Sequence, residues 1–185
     1  MGRYLVAMLY VAVCAIPALA QECPPVQIFG QYSHLSVDAK SITSRQGTNG
    51  FEVGLDTLLT ESFAVEFEFS HYHGDYVTVP ANSGVSDDFY LAGPRFNFKW
   101  LFVHGLFGGD HLYDVAFRNG VAQQGFAGAI GGGADRRIKG PWSIRGSVDY
   151  VFSRHSVFNG PTFTQNNFRL GVGIAYTFHR ESGNY

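Results

Sequence analysis

Cysteine and lysine are both nearly absent from this chain. Its 185 residues include two cysteines, Cys14 and Cys23, and three lysines, Lys40, Lys99 and Lys139. Cys14 falls in a segment with the form of an export signal, so the mature chain keeps Cys23 alone, in the stub Cys23-Pro24-Pro25. One thiol makes no internal bridge, which excludes a disulfide-stapled secreted domain. Charged residues make up 15% of the chain, well under the roughly 25% of a typical soluble domain. The net charge is −2, or −3 once Arg3 leaves with the leader. That mild acidity argues against nucleic acid as a partner. Beyond the leader no stretch approaches the roughly 20 apolar residues of a spanning helix. A phosphate-cradling loop is also missing, because Gly131-Gly132-Gly133 lies inside a strand pattern and opens no helix.

Aromatics, at 16%, and 23 glycines are what the chain has in excess. Arg3, the apolar stretch Tyr4 to Ile16 and Ala18-Leu19-Ala20 together make a cleavable signal peptide over residues 1–20. Neither cysteine follows a small residue, so export without lipidation is expected. The organisation expected is a short periplasmic stub at 21–25, one domain at 26–178 and a tail at 179–185.

That domain reads as strands. From Asn167 to Phe178 the residues Phe168, Leu170, Val172, Ile174, Tyr176 and Phe178 alternate without a break with small or polar ones. Side chains on a strand change face at every residue, so one face is apolar and the other is not. The run has the roughly 9–11 residues of a tilted membrane-spanning strand. Seven more strands are expected at 26–37, 50–58, 63–73, 88–98, 101–110, 125–135 and 142–153. The connections Asp38–Asn49, Gly74–Asp87, His111–Gln124 and Arg154–Asn166 are long and polar, whereas those between them are short. Long on one side and short on the other is the pattern of extracellular loops against periplasmic turns. Trp100, Trp142, Tyr176 and Phe178 fall at the short-turn end, as a periplasmic aromatic girdle would.

Alternation alone does not separate a membrane barrel from a soluble one with its apolar face inward. The content of the other face does. It carries Glu52, Asp56, Glu66, Glu68, Arg95, Asp135, Arg145, Asp149 and Arg169 amid Gly, Ala and Ser. A water-facing outer wall would bristle with Lys and Glu. A narrow interior suits small residues and a few guanidinium–carboxylate pairs better. The expectation is an all-β, eight-stranded antiparallel up-and-down transmembrane barrel, its lumen a polar plug held by that charge network.

On Ile28-Phe29-Gly30-Gln31-Tyr32-Ser33, Gly93-Pro94-Arg95-Phe96, Gly131-Gly132-Gly133-Ala134-Asp135, Ser143-Ile144-Arg145 with Asp149-Tyr150, and Gly173-Ile174-Ala175-Tyr176-Thr177-Phe178, the chain resembles the small eight-stranded outer-membrane proteins of the OmpA/OmpX-like group. The resemblance implies an integral protein of the bacterial outer membrane with lipids as its surroundings. It also implies insertion by the barrel-assembly machinery with periplasmic chaperones, which in this group reads a terminal aromatic strand, here ending at Phe178.

The leading functional expectation is a monomeric, non-enzymatic barrel without cofactor or metal, whose loops serve structural or surface-interaction roles. Tyr76, Tyr113, Phe117, Phe158 and Phe163 are aromatics of the kind a loop surface uses. The alternatives are a minor small-solute channel and a lipid-modifying barrel enzyme with a His/Ser pair at the rim. The pairs available are His34 with Ser36 and His155 with Ser156, with Glu66 or Glu68 to orient the base. His71 and His73 share a face but bring no third ligand for a metal. His104 is expected in the lumen, bonded to an acid.

Overall fold

A computed structural model of the protein describes residues 25–37, 46–75, 84–114, 122–156 and 162–178. The leader, the residues before Pro25 and the tail after Phe178 lie outside the described residues. Eight strands follow in order: β1 (Val26–Val37), β2 (Gln46–Leu58), β3 (Phe63–Asp75), β4 (Gly84–Phe98), β5 (Leu101–Asp114), β6 (Ala122–Lys139), β7 (Trp142–Ser156) and β8 (Thr162–Phe178). Each pairs antiparallel with the next, and β8 pairs back to β1 to close a barrel. The register sets the barrel's shape. Starting at Phe96 on β4, the rungs pass through Val103, Gly132, Val148, Leu170, His34, Asn49 and His73, and return to β4 at Ser86. That ten-residue stagger over eight strands tilts them by roughly 40° and leaves an interior that side chains can fill.

Period-two alternation now has a direction. Tyr32, Phe107, Ile130, Val148, Leu170 and Val172 point outward and are more than half exposed to the bilayer side. Their neighbours in sequence, such as Gln31, Leu106, Ser147 and Arg169, are buried inside. Trp142 stacks edge-on against Tyr176 at 4.8 Å, and Tyr176 against Phe178 at 4.7 Å, at the short-turn end. The β4–β5 ladder skips Gly93 and Pro94, where proline has no N–H to offer.

Several strands run further toward the loop side than the sequence suggests. β2 begins at Gln46 rather than Gly50 and β4 at Gly84 rather than Asp88; β5 ends at Asp114 and β8 begins at Thr162. Parts of all four expected long loops are therefore strand. The reason is that backbone pairing continues where the outward side chains turn polar, so the apolar stripe ends before the ladder does. Tyr113 accordingly sits on β5, facing outward, rather than in a loop. Tyr76, Phe117, Phe158 and the side chain of Phe163 lie outside the described residues.

The short turns are chemically distinct. Thr60 Oγ1 accepts from the backbone N–H of Phe63 at 3.0 Å and orders the turn between β2 and β3. Lys99, between β4 and β5, holds a left-handed φ of 59°, and Gly140, between β6 and β7, one of 57°. Left-handed backbone costs a non-glycine residue about 1–2 kcal/mol. Lys99→Gly is thus expected to stabilise the barrel by about 0.5–1 kcal/mol, and Gly140→Ala to destabilise it by about 1 kcal/mol. Urea unfolding in detergent reads both, and a Lys99→Gly variant weaker than the parent contradicts the turn geometry.

Candidate functional site

The nine ionisable residues singled out from the sequence all lie on inward-facing positions of six strands. Near the short-turn end Arg95 Nη1 donates to Asp56 at 2.7 Å and Arg95 Nη2 to Asp135 at 2.5 Å. Arg145 meets the same two acids from β7, with Nη2 at 2.6 Å from Asp56 and Nε at 2.8 Å from Asp135. It also donates to Gln27 Oε1 at 2.8 Å. Two arginines and two aspartates from β2, β4, β6 and β7 thereby form a closed ring of charge-assisted bonds. The guanidinium edges take the carboxylates and the flat faces take rings. Arg95 lies 3.8 Å over Phe102, and Arg145 4.0 Å over Phe29.

Midway along the lumen His104 bridges two acids, with Nδ1 at 3.1 Å from Glu66 and Nε2 at 2.8 Å from Asp149. Both contacts close as hydrogen bonds only if this unit holds one proton beyond those of a neutral imidazole. Above it Arg169 binds Glu68 through both terminal nitrogens and Asp149 through Nε at 2.9 Å, with Glu52 at 3.3 Å. Gln31 and Tyr72 complete Glu52, at 3.0 and 3.1 Å. Six acids thus face three guanidinium groups and one imidazole. Among the described residues Asp56 Oδ1 and Glu66 Oε2 have no hydrogen-bond partner, although the latter lies 3.5 Å from Arg95.

Sequence reading missed what lies beyond Tyr72. Leu35, Val37, Phe89, Leu91, Leu106 and Val151 are buried together with that tyrosine and fill the loop-side part of the interior. The apolar cluster was not expected, and it shares the loop-side interior with buried polar side chains, among them Thr48, Asp87, Asp110 and Asn167. On β4 and β5 Arg95 and His104 fix the inward face, but the other residues of that face are largely as apolar as those that meet lipid. At the opposite end the lumen opens into a vestibule of about 380 Å³ whose floor includes Asp56, Arg95 and Asp135.

The histidines divide by face. His104 is inside, whereas His34, His71 and His73 are on the outer wall near the loop end. His71 Nδ1 lies 2.5 Å from Asp88, and His73 Nδ1 3.0 Å from Ser86, each on the neighbouring strand. Among the described residues no three His, Cys, Asp or Glu side chains converge on a metal site. Glu66 and Glu68 are occupied in the lumen, on the other side of the wall from His34, so neither orients it. The side chains of His155 and Ser156 lie outside the described residues.

The family model of the outer membrane protein beta-barrel domain matches residues 6–180. The chain belongs to this family. It is an integral β-barrel protein of the bacterial outer membrane. Two solved structures show the same fold. The attachment invasion locus protein Ail of Yersinia pestis has 16% identity and a TM-score of 0.60 over 85% of this chain and all of its own. Neisserial surface protein A has 7% identity and a TM-score of 0.61 over 83% of this chain and 97% of its own. No curated protein matches the sequence.

Proposed function

We propose that the barrel is a closed scaffold whose charge network is structural, and that the protein works from its outer wall and extracellular loops. The observation that carries this reading is the lumen's two-part filling. Below Tyr72 the arginines are saturated by carboxylates and rings, and beyond it Leu35, Val37, Phe89 and Leu106 pack together in the interior beside the buried Asp87, Asp110 and Asn167. An eight-stranded barrel has an interior just wide enough for such filling. The vestibule is then a blind mouth rather than the start of a pore. In this reading the lumen does no chemistry, because His104 is held between two acids with no hydroxyl or thiol bonded to it among the described residues. The protein stands as a monomer among outer-membrane lipids, delivered by periplasmic chaperones and the barrel-assembly machinery. Planar-bilayer recording of the refolded mature protein tests the closure. Current indistinguishable from a protein-free membrane is expected, and a steady single-channel conductance overturns the reading in favour of a small-solute channel.

A further inference from the structure

The outer wall carries one arrangement that a closed scaffold leaves unused. Toward the loop end of β1 the outward residues run Tyr32, His34, Ser36. Directly across on β2, Asn49 is the partner of His34 and Gly47 the partner of Ser36. His34 Nδ1 lies 2.7 Å from Asn49 Oδ1. An amide oxygen only accepts, so Nδ1 carries the hydrogen, and in the neutral ring the lone pair is on Nε2.

The direction of Nε2 is given by the glycine. A Cβ built on Gly47 would stand 2.5 Å from Cε1 and 2.7 Å from Nε2 of His34. The imidazole therefore leans over residue 47 into space that only glycine leaves free. Residue 47 is on the rung of Ser36, and opposed Cβ atoms on a rung are about 5 Å apart. The imidazole thus leans toward the rung that Ser36 occupies. Acceptor, imidazole and hydroxyl follow in the order of a catalytic triad.

We infer that Ser36, His34 and Asn49 form a serine esterase site on the lipid-facing wall, acting on an acyl ester of a membrane amphiphile. The height of the site selects that substrate class. Tyr32, 59% exposed, stands one outward step below His34, and amphipathic aromatics mark the boundary between hydrocarbon and headgroups. Ester carbonyls of a glycerolipid lie at that same boundary, so a lipid reaches Ser36 by lateral diffusion with its chains against Tyr32, Phe51 and Leu170. This takes up the His34/Ser36 alternative in place of the non-enzymatic expectation. The feature that the sequence did not reveal is the cross-strand Asn49.

The chemistry balances with water as the only co-reactant. Ser36 Oγ forms a bond to the acyl carbon while its proton passes to His34 Nε2. Collapse of the tetrahedral adduct breaks the ester C–O bond, and the departing alcohol takes that proton. A water molecule then loses a proton to Nε2 and attacks the acyl-serine, releasing the fatty acid and restoring Oγ–H. Asn49 is a positioning residue that fixes the tautomer and plane of the ring. The neighbouring His73–Ser86 pair has its hydroxyl on Nδ1 and no orienting acceptor on Nε2 among the described residues.

The mature protein, refolded in mixed micelles of detergent and short-chain phosphatidylcholine, is treated with a fluorophosphonate probe and assayed for fatty-acid release. The expected result is covalent label on the peptide bearing Ser36. Release should fall at least about 100-fold in Ser36→Ala and in His34→Ala. Both residues face outward, so the heat-dependent gel mobility of the folded barrel should not change. Asn49→Leu should lower release to a similar degree and alter the pH–rate profile, while Asn49→Asp, which keeps the acceptor, restores it. Absence of label and of release above protein-free micelles overturns the inference, as does label on Ser86 in place of Ser36. Neither outcome bears on closure of the lumen, which conductance reads separately.

Discussion

Arg145→Leu is expected to destabilise the barrel by about 3–5 kcal/mol, the cost of stranding buried charges without their partner. The side chain is 1% exposed and serves Asp56, Asp135 and Gln27 at once. Its loss leaves Asp56 with Arg95 alone, and the Oδ1 of that aspartate already lacks a hydrogen-bond partner among the described residues. Leucine fills part of the volume but answers neither carboxylate. Urea unfolding of the refolded protein in detergent, followed by tryptophan fluorescence, measures the loss. Arg118→Leu, in an expected loop, provides the comparison and should shift stability by no more than about 0.5 kcal/mol. Equal shifts for the two variants would remove Arg145 from any buried network. A partial recovery is expected in Arg145→Leu combined with Asp135→Asn, because two neutral groups remain where one charge had been orphaned.

The second large effect belongs to a residue without a side chain. Gly131 is the rung partner of both His104 and Asp149. A Cβ added there would overlap Asp149 Oδ1 and stand 2.8 Å from the Asp149 Cα. Gly131→Val is therefore expected to push that carboxylate off His104 and Arg169 together, at about 3 kcal/mol from overpacking and broken pairs. Gly105, on the adjacent strand but facing lipid, meets nothing within 4 Å of the same added atom. There Gly105→Val should be neutral or stabilising by up to about 1 kcal/mol, since it trades backbone freedom for a β-branched side chain on an open face. The same urea titration compares them. Similar losses at both positions would mean that the glycine run is tuned for backbone flexibility rather than for room inside the lumen.

Much of this was legible in the chain, for a physical reason. Period two is a local property, so residues such as Leu170 and Arg169 declare opposite faces from their spacing alone. The alternation of long and short connections identifies the two ends of the barrel, and scarce lysine identifies the enclosed face. Legibility fails where a local pattern loses contrast. Phe89 and Leu91 on β4 share a face with Arg95, and Phe102 and Leu106 on β5 with His104, yet they are apolar amid apolar neighbours, so their own chemistry does not mark them as lumen-filling. Strand ends failed for a related reason, because hydrogen bonding between backbones is indifferent to the polarity that marks a loop in sequence. Asn49 likewise sits in an expected loop, and only the ladder sets it opposite His34.

By itself the amino-acid order determined that this protein spans the outer membrane as eight alternating strands with its charges enclosed, since apolar rows and polar rows on one strand have only one way to satisfy lipid and each other. Which charge meets which was decided by the tertiary structure alone. Arg145 reaches Asp56 across 89 residues of chain, and Arg169 reaches Glu68 across 101. Those pairings follow from the stagger at which β8 closes on β1, a property of the whole ring that no single strand contains.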